Sequence, residues 1–258
     1  MATERITFPG AHGDKLAARL DRPAEGEPGA WALFAHCFTC SKDLKPVRHI
    51  TEGLTRQGVA VLRFDFTGLG ESEGDFAETS FSSNVEDLVA AGRFMERSYQ
   101  APDLLVGHSL GGAAAIHAAP PLESVKAVAT IAAPADPAHI LTRLGDAEEV
   151  AEEEGEAEVS IAGRPFPISR QLVRDLRRSR MEEAVGELGR PLLLLHSPED
   201  RVVGIDNATR LYQMARDQRS FVSLDGADHL LLDEGDARYV GRVIAAWASR
   251  YLDREGSV

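Results

Sequence analysis

The pentapeptide Gly107-His108-Ser109-Leu110-Gly111 constrains this chain more than any other feature. It follows the apolar run Asp103-Leu104-Leu105-Val106 and precedes the small-residue segment Gly112-Ala113-Ala114-Ala115-Ile116. The first reads as a buried strand and the second as a helix, so the serine falls on the sharp turn between them. That turn holds the serine in a strained backbone conformation. Glycines two residues before and after it relieve the crowding where helix folds back over strand. The hydroxyl then projects into the cleft above the sheet.

A serine hydroxyl is a poor nucleophile near neutral pH; it needs a base, and the base needs an orienting carboxylate. Residues 191–196 read as a buried parallel strand, ending in Ser197-Pro198-Glu199-Asp200-Arg201-Val202-Val203. Residues 221–224 read as the last strand and run into Asp225-Gly226-Ala227-Asp228-His229. A side chain just past the C-terminal end of a parallel strand lies on the same sheet edge as the serine. His229 is therefore the candidate base, and Asp200, Glu199, Asp225 and Asp228 are the neighbouring carboxylates. Asp228 directly precedes His229, which points its side chain away from the ring and suits it to bracing the loop. Acyl transfer also develops charge on a carbonyl oxygen, which fixed N–H groups must meet. One donor is the amide of Leu110, next after the serine.

The wiring around these segments alternates strand and helix. Residues 5–8 and 15–21 alternate in polarity around a Pro/Gly-rich turn and predict an antiparallel edge hairpin. Strands follow at 30–35, 59–64, 103–106 and 125–132, with helices at about 42–57 and 81–99. With the strands before Asp200 and Asp225 they make eight, in a mostly parallel sheet covered on both faces. The rhythm breaks between about 134 and 189. There, eight acidic residues and no basic one lie between Asp146 and Glu158. A short hairpin around Ala162-Gly163 and a helix carrying Arg170, Arg174, Arg177, Arg178 and Arg180 follow, so the acidic and basic halves can pair.

The order Ser109, Asp200, His229 resembles the α/β-hydrolase family, whose catalytic triad follows that chain order. The resemblance covers about residues 5–251. It implies one domain over 1–258, with the insertion at about 134–189 serving as a cap whose Ile161, Phe166 and Leu172 line an acyl pocket. It implies Asp200 as the acid, because Asp200-Arg201-Val202-Val203 after a strand looks like the family's acid turn. His36-Cys37-Phe38-Thr39 follows the strand at 30–35 and looks like the family's oxyanion loop, with Cys37 where glycine is usual. Carried over, the second oxyanion donor is the amide of Phe38, and His36 organises the loop. Asp65-Phe66-Thr67-Gly68-Leu69-Gly70-Glu71-Ser72 looks like a structural turn of the same family; its spacing does not fit a dinucleotide site. The segments at 34–45 and 63–70 further resemble bacterial hydrolase domains often fused to an OsmC-like domain, a possible partner. The activity implied is a carboxylesterase on short acyl esters, working through an acyl-enzyme and needing no cofactor. A thioesterase, a serine peptidase or a non-catalytic binding module on the same fold are the alternatives.

Composition agrees. The 258 residues are 43% apolar, enough for one sizeable core. A formal charge of −13 argues against a nucleic-acid partner. The first residues carry no apolar signal core, and no segment reaches the roughly 20 apolar residues of a membrane span; the cytoplasm is the expected location. Cys37 and Cys40, the only cysteines, form C-x-x-C. Zinc lacks further ligands at fitting spacing, which leaves small packing residues or a redox-sensitive pair within the oxyanion loop. His108 precedes the serine with its side chain turned away from it, His117 lies in the alanine-rich helix, and His12, His49, His139 and His196 show no partner pattern; no metal site is expected.

Overall fold

The central strands of this protein are short, buried and mostly apolar, with Arg63 and Thr130 the polar exceptions before the strand ends, and the fold follows from where those runs can hide. The computed structural model describes residues 1–161 and 163–252. Ala162, at the expected hairpin tip, and residues 253–258 of the expected single domain lie outside the described residues. The chain opens with β1 (Ala2–Pro9) and β2 (Lys15–Arg22), paired antiparallel. Then come β3 (Ala30–Ala35), α1 (Lys45–Thr55), β4 (Val59–Phe64), a 3₁₀ turn at Phe76–Glu78, α2 (Phe81–Ser98), β5 (Leu104–His108), α3 (Leu110–Ala118) and β6 (Ala127–Ile131). After an excursion the chain returns as β9 (Leu192–His196), α7 (Asp206–Met214), β10 (Arg219–Ser223) and α8 (Glu234–Leu252).

One eight-stranded sheet results, in the order β1-β2-β4-β3-β5-β6-β9-β10, parallel from β4 onward. The expected mostly parallel eight-stranded sheet is thus the one observed. Alternation sorts its side chains. Leu33, Leu62, Leu105, Val128 and Leu194 pack beneath α2 and α3, whereas Phe34, Val61, Val106, Ala129 and Leu195 pack beneath α1 and α8. Both faces are dry, and each fully buried Leu or Val side chain contributes about 1.5–3 kcal/mol.

Because the strands are parallel, their C-terminal ends line one edge. The order reverses between β3 and β5, and the loops leaving those strands diverge to opposite sides, opening a crevice. The excursion between β6 and β9 lies near that edge. It holds a 3₁₀ segment (Pro137–Arg143), α4 (Ala147–Glu154), β7 (Glu156–Ile161), β8 (Arg164–Ser169), α5 (Arg170–Arg178) and α6 (Met181–Gly186). β7 and β8 form a separate antiparallel pair. The acidic and basic halves do meet: Arg174 and Arg177 reach Glu152, and Arg177 also reaches Glu148. These pairs are exposed on the arginine side and contribute little stability.

Candidate active site

Ser109 sits at the turn between β5 and α3 with φ 55° and ψ −125°. That left-handed conformation is costly for serine and persists because its surroundings impose it. A Cβ on Gly107 would lie 2.2 Å from the Gly111 carbonyl oxygen, and one on Gly111 would lie 2.3 Å from that of His36. Only glycine lets α3 approach β5 and the loop after β3 this closely.

His229 and Asp200 arrive from the loops after β10 and β9. His229 Nε2 is 3.1 Å from Ser109 Oγ, and its Nδ1 is 2.7 Å from Asp200 Oδ2. Asp200 Oδ1 accepts the amides of Val202 and Val203 at 2.8 and 2.9 Å. The carboxylate therefore has its remaining oxygen for the ring, which must donate from Nδ1 and accept from the serine at Nε2. Burial alone would raise the Asp200 carboxyl. Hydrogen bonds from His196, His229 and the Val203 amide, with the charge of His229, outweigh it and hold the group well below the usual carboxylate range. The His196 contact is the weaker. Its Nε2 lies 3.5 Å from Asp200 but 2.7 Å from the Val203 carbonyl, which takes its proton.

The competing carboxylates are engaged elsewhere. Glu199 accepts the Gly226 amide and the Ser197 hydroxyl, tying the two loops together. Asp225 holds Ser223. Asp228 accepts the amides of Leu230 and Leu232 and braces the His229 loop.

Three buried histidines that sequence reasoning treated lightly or in part each hold a loop of this site. Each lies at or just past the end of a parallel strand. His36 Nδ1 donates to the Cys37 carbonyl, His108 Nε2 to the His229 carbonyl, and His196 Nε2 to the Val203 carbonyl, at 2.7–2.8 Å. Burial and the neighbouring His229 push the His108 ring down to about 3, so it is neutral. Burial likewise lowers His36, whose Nε2 is left without a partner, 3.9 Å from Asp65. The expectation that His196 shows no partner pattern is corrected here, and the bond made by His108 was not foreseen. Their partners are carbonyls distant in sequence or on a turning loop, which no spacing pattern reveals.

Helix α1 also begins later than its pattern predicts. Lys42, expected inside it, has its amide captured by Asp65 Oδ1 and its ammonium held by Asp65 and Glu71, all at 2.7 Å. Burial alone would lower Lys42, but those two partners outweigh it and hold it raised. The Asp65–Ser72 turn expected to be structural is thus the anchor for the far end of the loop after β3.

That loop carries the other surprise. Cys37 and Cys40 form a disulfide, so the reading as small packing residues is replaced by a covalent crosslink. Phe38 lies inside it. Among the described residues, neither the Phe38 nor the Leu110 amide has a hydrogen-bond partner. Both residues line a narrow cleft, with Phe66, Leu69 and Phe81 and a single carboxamide, Asn84. Ile161, Phe166 and Leu172, expected to line the acyl pocket, do not line this cleft. Phe166 packs on Phe76, which packs on Phe38, with ring centres 5.5 and 5.7 Å apart. Among the described residues no group of His, Cys, Asp and Glu could hold a metal ion, and no helix is long and apolar enough to cross a membrane.

The sheet, the turn and the converging loops have their counterpart in known proteins. The model of the alpha/beta hydrolase family matches residues 28–242, and the chain belongs to that family. It is similar to the esterase domain of a Rhodothermus marinus protein, with 52% identity over 98% of this chain and 100% of that one and a TM-score of 0.81. Est1E from Butyrivibrio proteoclasticus, solved with ferulic acid bound, shares the fold at 21% identity and a TM-score of 0.78, covering 96% of this chain and 100% of that one. A 62-residue stretch, 24% of this chain and 20% of the relative, is 39% identical to the mitochondrial palmitoyl-protein thioesterase ABHD10 of Rattus norvegicus. The chain is therefore a hydrolase with esterase relatives.

Proposed function

We propose that this hydrolase cleaves carboxylic esters of short acyl chains through an acyl-enzyme formed on Ser109. What carries the reading is the 3.1 Å approach of His229 Nε2 to Ser109 Oγ, with Asp200 behind the ring at 2.7 Å. In this reading His229 takes the serine proton as the hydroxyl attacks the ester carbonyl. Asp200 holds the ring's Nδ1 proton and stabilises the imidazolium. The Leu110 and Phe38 amides receive the oxyanion. His229 then protonates the leaving alcohol, and water repeats the cycle to free the acid. The cleft beside those amides is tight and walled by Phe66, Leu69, Phe81 and Ala114, which suits a short apolar acyl group. The segment between β6 and β9 acts as a cap over the alcohol side. A thioesterase is the second reading, favoured by the local likeness to a palmitoyl-protein thioesterase.

The test is a series of p-nitrophenyl esters of rising chain length, set against acyl-CoA thioesters and peptide anilides, with Ser109→Ala as the blank. We expect the highest kcat/KM on the shortest esters, labelling of Ser109 by a fluorophosphonate, and a drop of at least about 10⁴ in kcat for the alanine variant. An alanine variant within about tenfold of the parent would remove the serine from the chemistry.

A further inference from the structure

One built feature takes no part in the proposed acyl transfer: a crosslink inside the loop assigned one oxyanion donor. Cys37 and Cys40 are joined across Phe38 and Thr39. The loop's flanks are pinned independently of that bond. His36 Nδ1 holds the Cys37 carbonyl at 2.8 Å on one side, and Asp65 holds the Lys42 amide and ammonium on the other. The middle is different. Thr39 has φ 58°, a left-handed conformation that a β-branched residue avoids unless its surroundings impose it. Within the loop it is held by the crosslink, by the Cys40 amide on the Cys37 carbonyl at 3.1 Å, and by its own hydroxyl on the Phe38 carbonyl. The peptide unit bearing the Phe38 amide is thus held at its Cys37 carbonyl by His36 and by the Cys40 amide, and the second of these bonds closes the same short turn that the crosslink spans. Cys37 is buried, whereas Cys40 is partly exposed, which makes Cys40 the side from which the crosslink is approached.

We propose that the Cys37–Cys40 disulfide is a redox modification site that sets the aim of the Phe38 amide, and through it the rate of acyl transfer, its reaction partner being a small or protein thiol. The proposal rests on the acyl-transfer reading. An external thiolate attacks Cys40 Sγ, the Cys37–Cys40 bond breaks, and the Cys37 thiolate leaves and takes a proton. A second external thiolate attacks the external sulfur of the mixed disulfide, forming the external disulfide, and the Cys40 thiolate leaves and takes a proton. Two electrons pass from two external thiols to the protein, and oxidised glutathione reverses the step. Once reduced, Thr39 is free to leave its left-handed conformation and the Cys40 amide to leave the Cys37 carbonyl, so the Cys37–Phe38 peptide unit keeps only its His36 bond and its N–H tilts away from the oxyanion. The rest of the fold stays anchored by His36 and Lys42.

The experiment compares the oxidised protein with protein reduced by dithiothreitol and then desalted, since free thiols cleave activated esters themselves. Thiols are counted by titration, and kcat and KM are measured on p-nitrophenyl acetate. We expect no thiol before reduction and two per chain after it, with kcat lower by about tenfold or more after reduction and KM nearly unchanged. Losing one oxyanion donor outright costs about 10²–10³. Fluorophosphonate labelling of Ser109 should slow in parallel, and oxidised glutathione should restore both. The double variant Cys37→Ala, Cys40→Ala should show the low kcat with or without dithiothreitol, with thermal melting reporting that it is folded. Equal kcat at zero and two thiols per chain overturns the proposal, as does a crosslink that dithiothreitol cannot open in the folded protein. Absence of both turnover and labelling in the oxidised state instead overturns the hydrolase reading and takes this proposal with it.

Discussion

Replacing Asp200 by Asn tests the relay from carboxylate to ring to hydroxyl at one atom. The change is nearly isosteric, so the effect comes from hydrogen-bond polarity. In the native site Oδ1 accepts two amides, from Val202 and Val203, and Oδ2 accepts the His229 Nδ1 proton at 2.7 Å. An asparagine keeps the two amide bonds only by placing its carbonyl oxygen at the Oδ1 position. Its NH₂ then falls where Oδ2 was, facing an N–H. Two donors cannot share that contact. The ring changes tautomer, accepts at Nδ1, and presents Nε2–H to Ser109, where it cannot take a proton. The same exchange in another serine triad lowers kcat about 10⁴-fold, which corresponds to about 5.4 kcal/mol of transition-state stabilisation. We expect that loss on p-nitrophenyl acetate, with Ser109→Ala as the blank and the circular dichroism unchanged. Glu199→Gln should cost less than about tenfold, because Glu199 binds the Gly226 amide and not the ring. A folded Asp200→Asn protein with kcat within tenfold of the parent, or a greater loss from Glu199→Gln, would refute the assignment.

Two further outcomes follow from the same geometry. His108 is pushed down to about 3 when folded, against about 6.5 when unfolded, so the unfolded chain binds the extra proton between those values. The sign is that stability is fully present above about pH 6.5 and is lost as pH falls. From pH 7 to 5 this group alone costs about 2 kcal/mol. Urea midpoints should fall over that window and fall less in His108→Gln; equal slopes would refute it. Gly111→Ala places a methyl 2.3 Å from the His36 carbonyl and 2.5 Å from that of Ala35. It should cost about 1–3 kcal/mol, a fall in Tm of several degrees, and also lower kcat by displacing the loop that bears Phe38. An unchanged Tm and kcat would contradict the close packing at this turn.

The layout of the sheet was legible because buried parallel strands are written as short apolar runs, such as Leu192 to Leu195, and turns are written in glycine and proline. Ser109, Asp200 and His229 could be placed at one edge because each ends or follows such a run. Boundaries drifted where a distant side chain intervened. Lys42 reads as helical, but its amide goes to Asp65, 23 residues away. The role of His36 was legible from the loop it opens, whereas that of His108 was not, for the same reason: it donates to a carbonyl 121 residues along the chain.

The order of strands and helices, the glycine-flanked serine and the acidity belong to the sequence alone, since each depends on local periodicity, local sterics or simple counting. The choice of Asp200 among four neighbouring carboxylates, the neutrality of His108 and the crosslink around Phe38 belong to the tertiary structure. They depend on which groups share a desolvated volume of a few ångströms, and packing of remote segments decides that.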